Sequence, residues 1–213
     1  MKVDFRVYLI TDRKRAPGGD LAGVVAKAVS GGVGAVQLRE KDLSGKKLFR
    51  LAESLRASTE RLGALLLVND RVDVALAVGA DGVHLGLLSI PPREARRILG
   101  PRALIGCSTH NAGELREAEE GGADFATFGP VFPTPSKASF GPPVGVPAFA
   151  EACRTARIPV FALGGVKPEN VAEVARAGGY GVALISGIMA AADPRAAAED
   201  LKRRFAKANA TPK

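Results

Sequence analysis

Two cysteines in 213 residues are too few for a disulfide framework, and Cys107 and Cys153 lack the paired spacing of metal ligands. Tryptophan is missing and aromatic residues make up only 5 % of the chain, so no aromatic-rich reading surface accompanies its basic residues. Those residues are dispersed, as "KK", "RR" and "KRR", which argues against nucleic acid as a partner. No apolar run approaches the ~20 residues of a membrane span. The opening "MKVDFRVYLITD" lacks a signal peptide's layout, so the expected setting is cytoplasmic and reduced, with no membrane partner. Also missing is a G-x-G-x-x-G turn after the first apolar run, which disfavours an open doubly wound dinucleotide fold.

What is present is a core-forming composition, 46 % hydrophobic, and a net charge of +8. A few cations in a cleft suit small phosphorylated ligands. Short β-rich runs alternate with amphipathic segments. The strands are "VYLIT", "GAVQLR", "ALLLVN", "GVHLG", "LIGCST", "FATFGPVF", "PVFALGG" and "GVALISG". Helices are expected near 20–31, 44–61, 71–79, 92–99, 112–121, 147–156, 168–177 and 193–208. Junctions such as "VGADGVHL" and "RAGGYGVAL" repeat a glycine where a helix ends and a strand begins. Alternating strands and helices imply parallel pairing, and eight such units point to one (β/α)8 TIM barrel over 1–213. The tail from about 207 is expected to be disordered. Outward helix faces show no single large apolar stripe, which leaves a homo-oligomer open.

In such a barrel, chemistry sits at the C-terminal ends of the strands. Those ends carry Gln37, Arg39 and Lys41; Asn69 and Asp70; Ser89; Ser108 and His110; Thr134, Ser136 and Lys137; Gly165; and Ser186. Strands usually avoid such polar residues, so their gathering at one rim indicates an enzyme. Alternation would send Gln37, Arg39 and Lys41 to one face. The glycines of "LGG" and "ISG" let backbone approach a phosphate, although they equally serve tight turns. Asp70 could cap the following helix or ligate Mg²⁺. His84, inside a strand, reads as a packed side chain. In "FGPVFPTPSK" the prolines end the strand and stiffen a polar lip.

Taken in order, "QLREK", "NDRVDVAL", "ADGVHLG", "STHN", "GPVFPTPSK", "LGG" and "ISG" resemble the thiamine-phosphate synthase family over nearly the whole chain. The resemblance implies a transferase of thiamine biosynthesis that joins hydroxymethylpyrimidine diphosphate to thiazole phosphate and releases pyrophosphate with Mg²⁺. It implies that Gln37, Arg39, Lys41, Asn69, Ser108 and Lys137 hold the pyrimidine diphosphate, with Arg39, Lys41, Ser108 and Lys137 catalytic. Thr134, Ser136, Gly165, Ile185 and Ser186 would hold the thiazole phosphate, and Asp70 the metal. After "HLG" the family carries Gln and then, two residues on, a metal-binding Asp; here Leu87 and Ser89 stand there. Ser89 could contribute its hydroxyl to the metal but no charge. That departure keeps two alternatives in view. One is the sister thiazole tautomerases, whose strand-six histidine is Pro130 here and in which His110 would move the proton. The other is a non-catalytic sensor of thiamine precursors.

Overall fold

The computed structural model describes residues 3–135 and 141–210. Eight parallel strands close into a barrel in sequence order, β1 Val7–Ile10, β2 Ala35–Leu38, β3 Leu65–Asn69, β4 Gly82–Leu85, β5 Leu104–Thr109, β6 Phe125–Phe128, β7 Val160–Leu163 and β8 Gly181–Leu184. Around them lie α1 Leu21–Ser30, α2 Gly45–Leu62, α3 Val72–Ala77, α4 Pro92–Leu99, α5 Ala112–Glu120, α6 Gly145–Thr155, α7 Val171–Arg176, α8 Ser186–Met189 and α9 Pro194–Ala210. The single (β/α)8 barrel expected from the alternation is therefore the fold.

Two cores follow from the strand period of two. Outward-facing residues such as Val36, Leu38, Leu66 and Val68 meet the helices in one continuous layer. Helix α2 turns Leu48, Ala52, Leu55 and Thr59 toward that layer, a spacing of four, three and four that keeps one face inward. Gly63 then ends the helix in a left-handed conformation, φ 73°, which a side chain would strain. Inward-facing residues form the second core, in which Val3, Phe5, Tyr8, Leu67, Leu104, Phe125 and Phe161 fill the lower barrel. Phe5 stacks on Phe161 at 5.1 Å, and Phe125 meets Phe5 edge-on at 5.6 Å. The Tyr180 hydroxyl donates to Val3 O at 2.6 Å beneath them, and Arg6 lies 3.7 Å from the centre of the Tyr180 ring. The lower end is thereby sealed.

One device repeats at the strand starts. The Asp81 carboxylate accepts Leu66 N at 2.8 Å and Arg56 Nη1 at 2.7 Å. The Asp124 carboxylate does the same with Ile105 N and Arg96 Nη2, both at 2.7 Å. Each aspartate satisfies an otherwise open strand N–H of the neighbouring strand and holds a helix against the barrel.

Three expectations need correction. The sixth strand stops at Phe128, not at Phe132, because Pro130 lacks the N–H a ladder requires. Val131 N and Phe132 N still bond to Leu163 O and Gly164 O, so the segment continues beside β7 outside regular pairing. "ISG" is not strand: Ile185 leads into α8. The tail expected to be disordered from about 207 is helical as far as Ala210, where α9 runs through the alanine-rich "AKANA", and 211–213 lie outside the described residues. No helix among the described residues is long and apolar enough to cross a membrane.

Phe125 is fully buried and touches Phe5, Tyr8 and Phe161. Phe125→Ala should cost about 3–5 kcal/mol in urea denaturation. A loss below about 1 kcal/mol would mean that the lower barrel repacks around the cavity.

Candidate active site

Strand register sets the level of the site. Ile10 lies opposite Gln37, Asn69 opposite His84, and Ser108 opposite Thr127. Immediately above the aromatic filling the interior turns polar. Gln37 Nε2 donates to Tyr8 Oη at 3.1 Å, and Tyr8 Oη lies 3.3 Å from His84 Nδ1. His84 Nε2 lies 3.0 Å from Ser108 Oγ and 3.5 Å from Thr127 Oγ1. Burial lowers the His84 pKa to about 3, outweighing the pull of Asp70, so the ring is neutral at physiological pH. Burial raises the Tyr8 pKa, opposed by the Gln37 hydrogen bond, so the phenol keeps its proton. His84 is packed, as expected, and is also a link in a chain of polar groups.

This layer floors a cavity of ≈ 390 Å³ at the C-terminal mouth of the barrel. Gln37, Arg39, Asn69, Ser108 and His110 line one side; Thr134, Gly164, Ile185 and Ser186 line the other. Of the residues expected at the site, eight meet here, with Gly164 in place of the expected Gly165. Ser136 and Lys137 lie outside the described residues. Gly165 is beyond the lining, at φ 66°, where a Cβ would come within 2.6 Å of Pro133 O. Its visible task is to let the 131–135 lip pack on the end of β7.

Lys41 departs from the expected alternation. Strand β2 ends at Leu38, and Lys41 falls in a turn, so its side chain joins an adjoining recess with Asp70 and Arg71. Asn69 lines both spaces. Lys41 Nζ sits 3.9 Å from Asp70 Oδ2, a mostly exposed pair worth little by itself.

Asp70 does not cap α3, whose N-cap is Arg71 without a side-chain bond. Its backbone is left-handed, φ 59°, a conformation aspartate tolerates better than most residues. That geometry turns the carboxylate to the rim, where Oδ2 accepts Asn69 Nδ2 at 2.7 Å. Oδ1 accepts the Ser89 hydroxyl and Gly86 N, the latter at 3.3 Å, while Gly86 N also reaches Ser89 Oγ at 2.7 Å. No group of three His, Cys, Asp or Glu residues could hold a metal among the described residues. One carboxylate beside a hydroxyl does suit Mg²⁺, which commonly takes one or two carboxylates and fills its shell with substrate phosphate oxygens and water.

The β1–β2 rim contains a residue without a role in the sequence reading. Glu40 is buried and accepts Thr11 Oγ1 at 2.8 Å, Arg13 N at 2.9 Å and Arg13 Nη1 at 2.9 Å. Arg13 also grips Asp42, holding that carboxyl well below the usual range. Thr11 Oγ1 in turn accepts Arg39 N at 2.9 Å, which fixes the backbone that presents Arg39 to the cavity. Among the described residues no carboxylate pairs with the Arg39 guanidinium. Arg15 reaches the same cavity but is held by Asp12 at 2.8 Å. The "TDRKR" run after β1 was the signal for these residues. His110 Nδ1 is 2.9 Å from Glu114 Oε2. Burial pushes both cysteine thiols up to about 12, so neither supplies a thiolate nucleophile.

Comparison with known proteins bears on this geometry. A family profile described as thiamine monophosphate synthase matches residues 7–188. A protein of Geobacter sulfurreducens with a thiamine-phosphate synthase designation is 56 % identical over 200 residues, covering 94 % of each chain. The thiamine-phosphate synthase of Roseiflexus sp. is 43 % identical over 202 residues, covering 95 % of this chain and 86 % of its own. The solved thiamine phosphate pyrophosphorylase from Pyrococcus furiosus superposes with a TM-score of 0.87 at 37 % identity, covering 96 % of both chains.

Gly165→Ala tests the packing at the lip. A non-glycine residue at this φ, with backbone oxygen in the way, should cost about 1–3 kcal/mol in chemical denaturation. An unchanged midpoint would show that the 131–135 segment yields freely.

Proposed function

We propose, since this chain belongs to the thiamine monophosphate synthase family, that it joins hydroxymethylpyrimidine diphosphate to thiazole phosphate and releases pyrophosphate. The observation that carries the reading is one cavity with two unlike sides. Arg39, which pairs with no carboxylate among the described residues, lines one side with Asn69 and Ser108, and Gly164, Ile185 and Ser186 line the other.

Arg39, Lys41, Asn69 and Ser108 hold the diphosphate, and Lys137, which follows β6 in the sequence and lies outside the described residues, is assigned to the same ligand. Thr134, Ile185 and Ser186 hold the thiazole phosphate together with Ser136, and Gly165 acts behind them by seating the lip. The carbon–oxygen bond to the diphosphate breaks first, leaving a pyrimidine-methyl cation that the thiazole nitrogen attacks. Charge therefore builds on the departing group, and fixed donors aimed at it do most where water is excluded. Arg39 is such a donor, because the Glu40–Thr11 arrangement already holds its backbone in place. No protein nucleophile is required, in keeping with two protonated thiols and a neutral His84. Asp70, with Ser89 beside it, would hold Mg²⁺, which when bound neutralises diphosphate charge.

Purified protein incubated with both substrates should form thiamine phosphate, and a chelator should stop it. Isomerisation of thiazole carboxylate phosphate without any thiamine phosphate would replace this reading with a tautomerase. Ser89→Asp should lower the Mg²⁺ concentration for half-maximal rate about fivefold, taking a restored charge as worth about 1 kcal/mol at this open rim. An unchanged Mg²⁺ dependence would place the metal away from Ser89. Lys137→Ala should lower kcat/KM by about tenfold or more at an unchanged melting temperature, as loss of a charge-assisted hydrogen bond predicts.

A further inference from the structure

The substrate roles leave Tyr8 and His84 unused, although both sit directly under the cavity in a continuous run of hydrogen bonds. We propose that Tyr8 and His84 are positioning residues that fix the direction of the Ser108 hydroxyl, so that its proton points into the cavity toward the leaving diphosphate. The inference rests on the synthase reading above.

Proton counting along the chain gives the direction. Gln37 Nε2 donates to Tyr8 Oη at 3.1 Å. The phenol has a single proton, and the acceptor in reach on its other side is His84 Nδ1 at 3.3 Å. That nitrogen is therefore bare. A neutral imidazole carries one proton, which must then sit on Nε2. Nε2–H donates to Ser108 Oγ at 3.0 Å, with Thr127 Oγ1 at 3.5 Å a weaker second acceptor. Ser108 Oγ accepts from below, so its own proton is free to point upward into the space it lines.

The opposite polarity would be damaging. With a proton on Nδ1, Nε2 would become an acceptor and draw the Ser108 proton down to itself. Only oxygen lone pairs would then face an anionic ligand. Exchanging a donor for an acceptor against a phosphate oxygen should cost about tenfold to a hundredfold in rate, the range for a hydrogen bond to a charged group. The chain crosses from β2 through β1 to β4 and β5, so closure of the barrel is what brings its members together.

The tautomer can be read without turnover. The chain has only two histidines, so ¹⁵N-histidine NMR of the full protein shows two imidazoles, assigned with His110→Gln. His84 should show a bare Nδ1 and a protonated Nε2 at neutral pH. Tyr8→Phe, which keeps the ring, should turn this into a mixture of tautomers. In kinetics, His84→Leu should lower kcat more than it raises KM, by about tenfold to a hundredfold. Combined with Ser108→Ala, it should lose no more than Ser108→Ala alone. His84→Gln, whose amide can still donate to Ser108, should recover part of the rate. A protonated Nδ1 in active wild type would overturn the inference even if the leucine variant fails to fold. Additive losses in the double variant would also overturn it. A wild type that forms no thiamine phosphate would overturn the synthase reading instead, while the spectrum still reports the tautomer.

Discussion

Closure of the parallel sheet is the constraint on which everything else here depends. A closed barrel has no sheet edge and admits water to its inner faces only from its ends, so inward side chains must fill the space and satisfy one another. The lower half does so with rings, Phe5, Phe125 and Phe161. The upper half uses Tyr8, Gln37, His84, Ser108 and Thr127, whose polar atoms find partners across five strands. Among the described residues no buried side-chain polar atom lacks a hydrogen bond. The transition from apolar to polar filling marks the floor of the site.

Above that floor, loops are tied to strand ends instead of hanging free. Glu40 gathers Thr11 and Arg13 and so joins the β1 and β2 rims. The 131–132 segment bonds to the last carbonyls of β7, and Gly164 and Gly165 leave room for it. Asp70, Asn69, Gly86 and Ser89 join the β3 and β4 rims. Arg39 and Asn69 are thus presented by backbone already fixed before any ligand arrives. Preorganisation of this kind reduces the ordering cost of binding.

Much of this was legible in the residues. Hydrophobic period and glycine junctions led to the barrel, and α4 and β5 begin and end at the residues expected, 92–99 and 104–109. Polar residues at strand ends led to the rim, and seven of those named line a single cavity. What was not legible depends on contacts between strands distant in sequence. Glu40 had no visible role because Thr11 and Arg13 stand 29 and 27 residues away. The repeated "GAD" showed a recurring junction, but the partners of Asp81 and Asp124 come from other units. Alternation misplaced Lys41 because it was extended past the end of the strand. Asp70 could be read as a cap of α3, a role its left-handed backbone removes by turning the carboxylate to the rim.

The sealed lower end imposes a traffic rule. With Tyr180 bonded to Val3 and Phe5 stacked on Phe161, nothing passes through the barrel, and every molecule enters and leaves by one mouth. A vessel with one opening has no through-flow. Substrate, product and the water they displace all share the same passage. Traffic through the site is in this way limited by the packing of three phenylalanines.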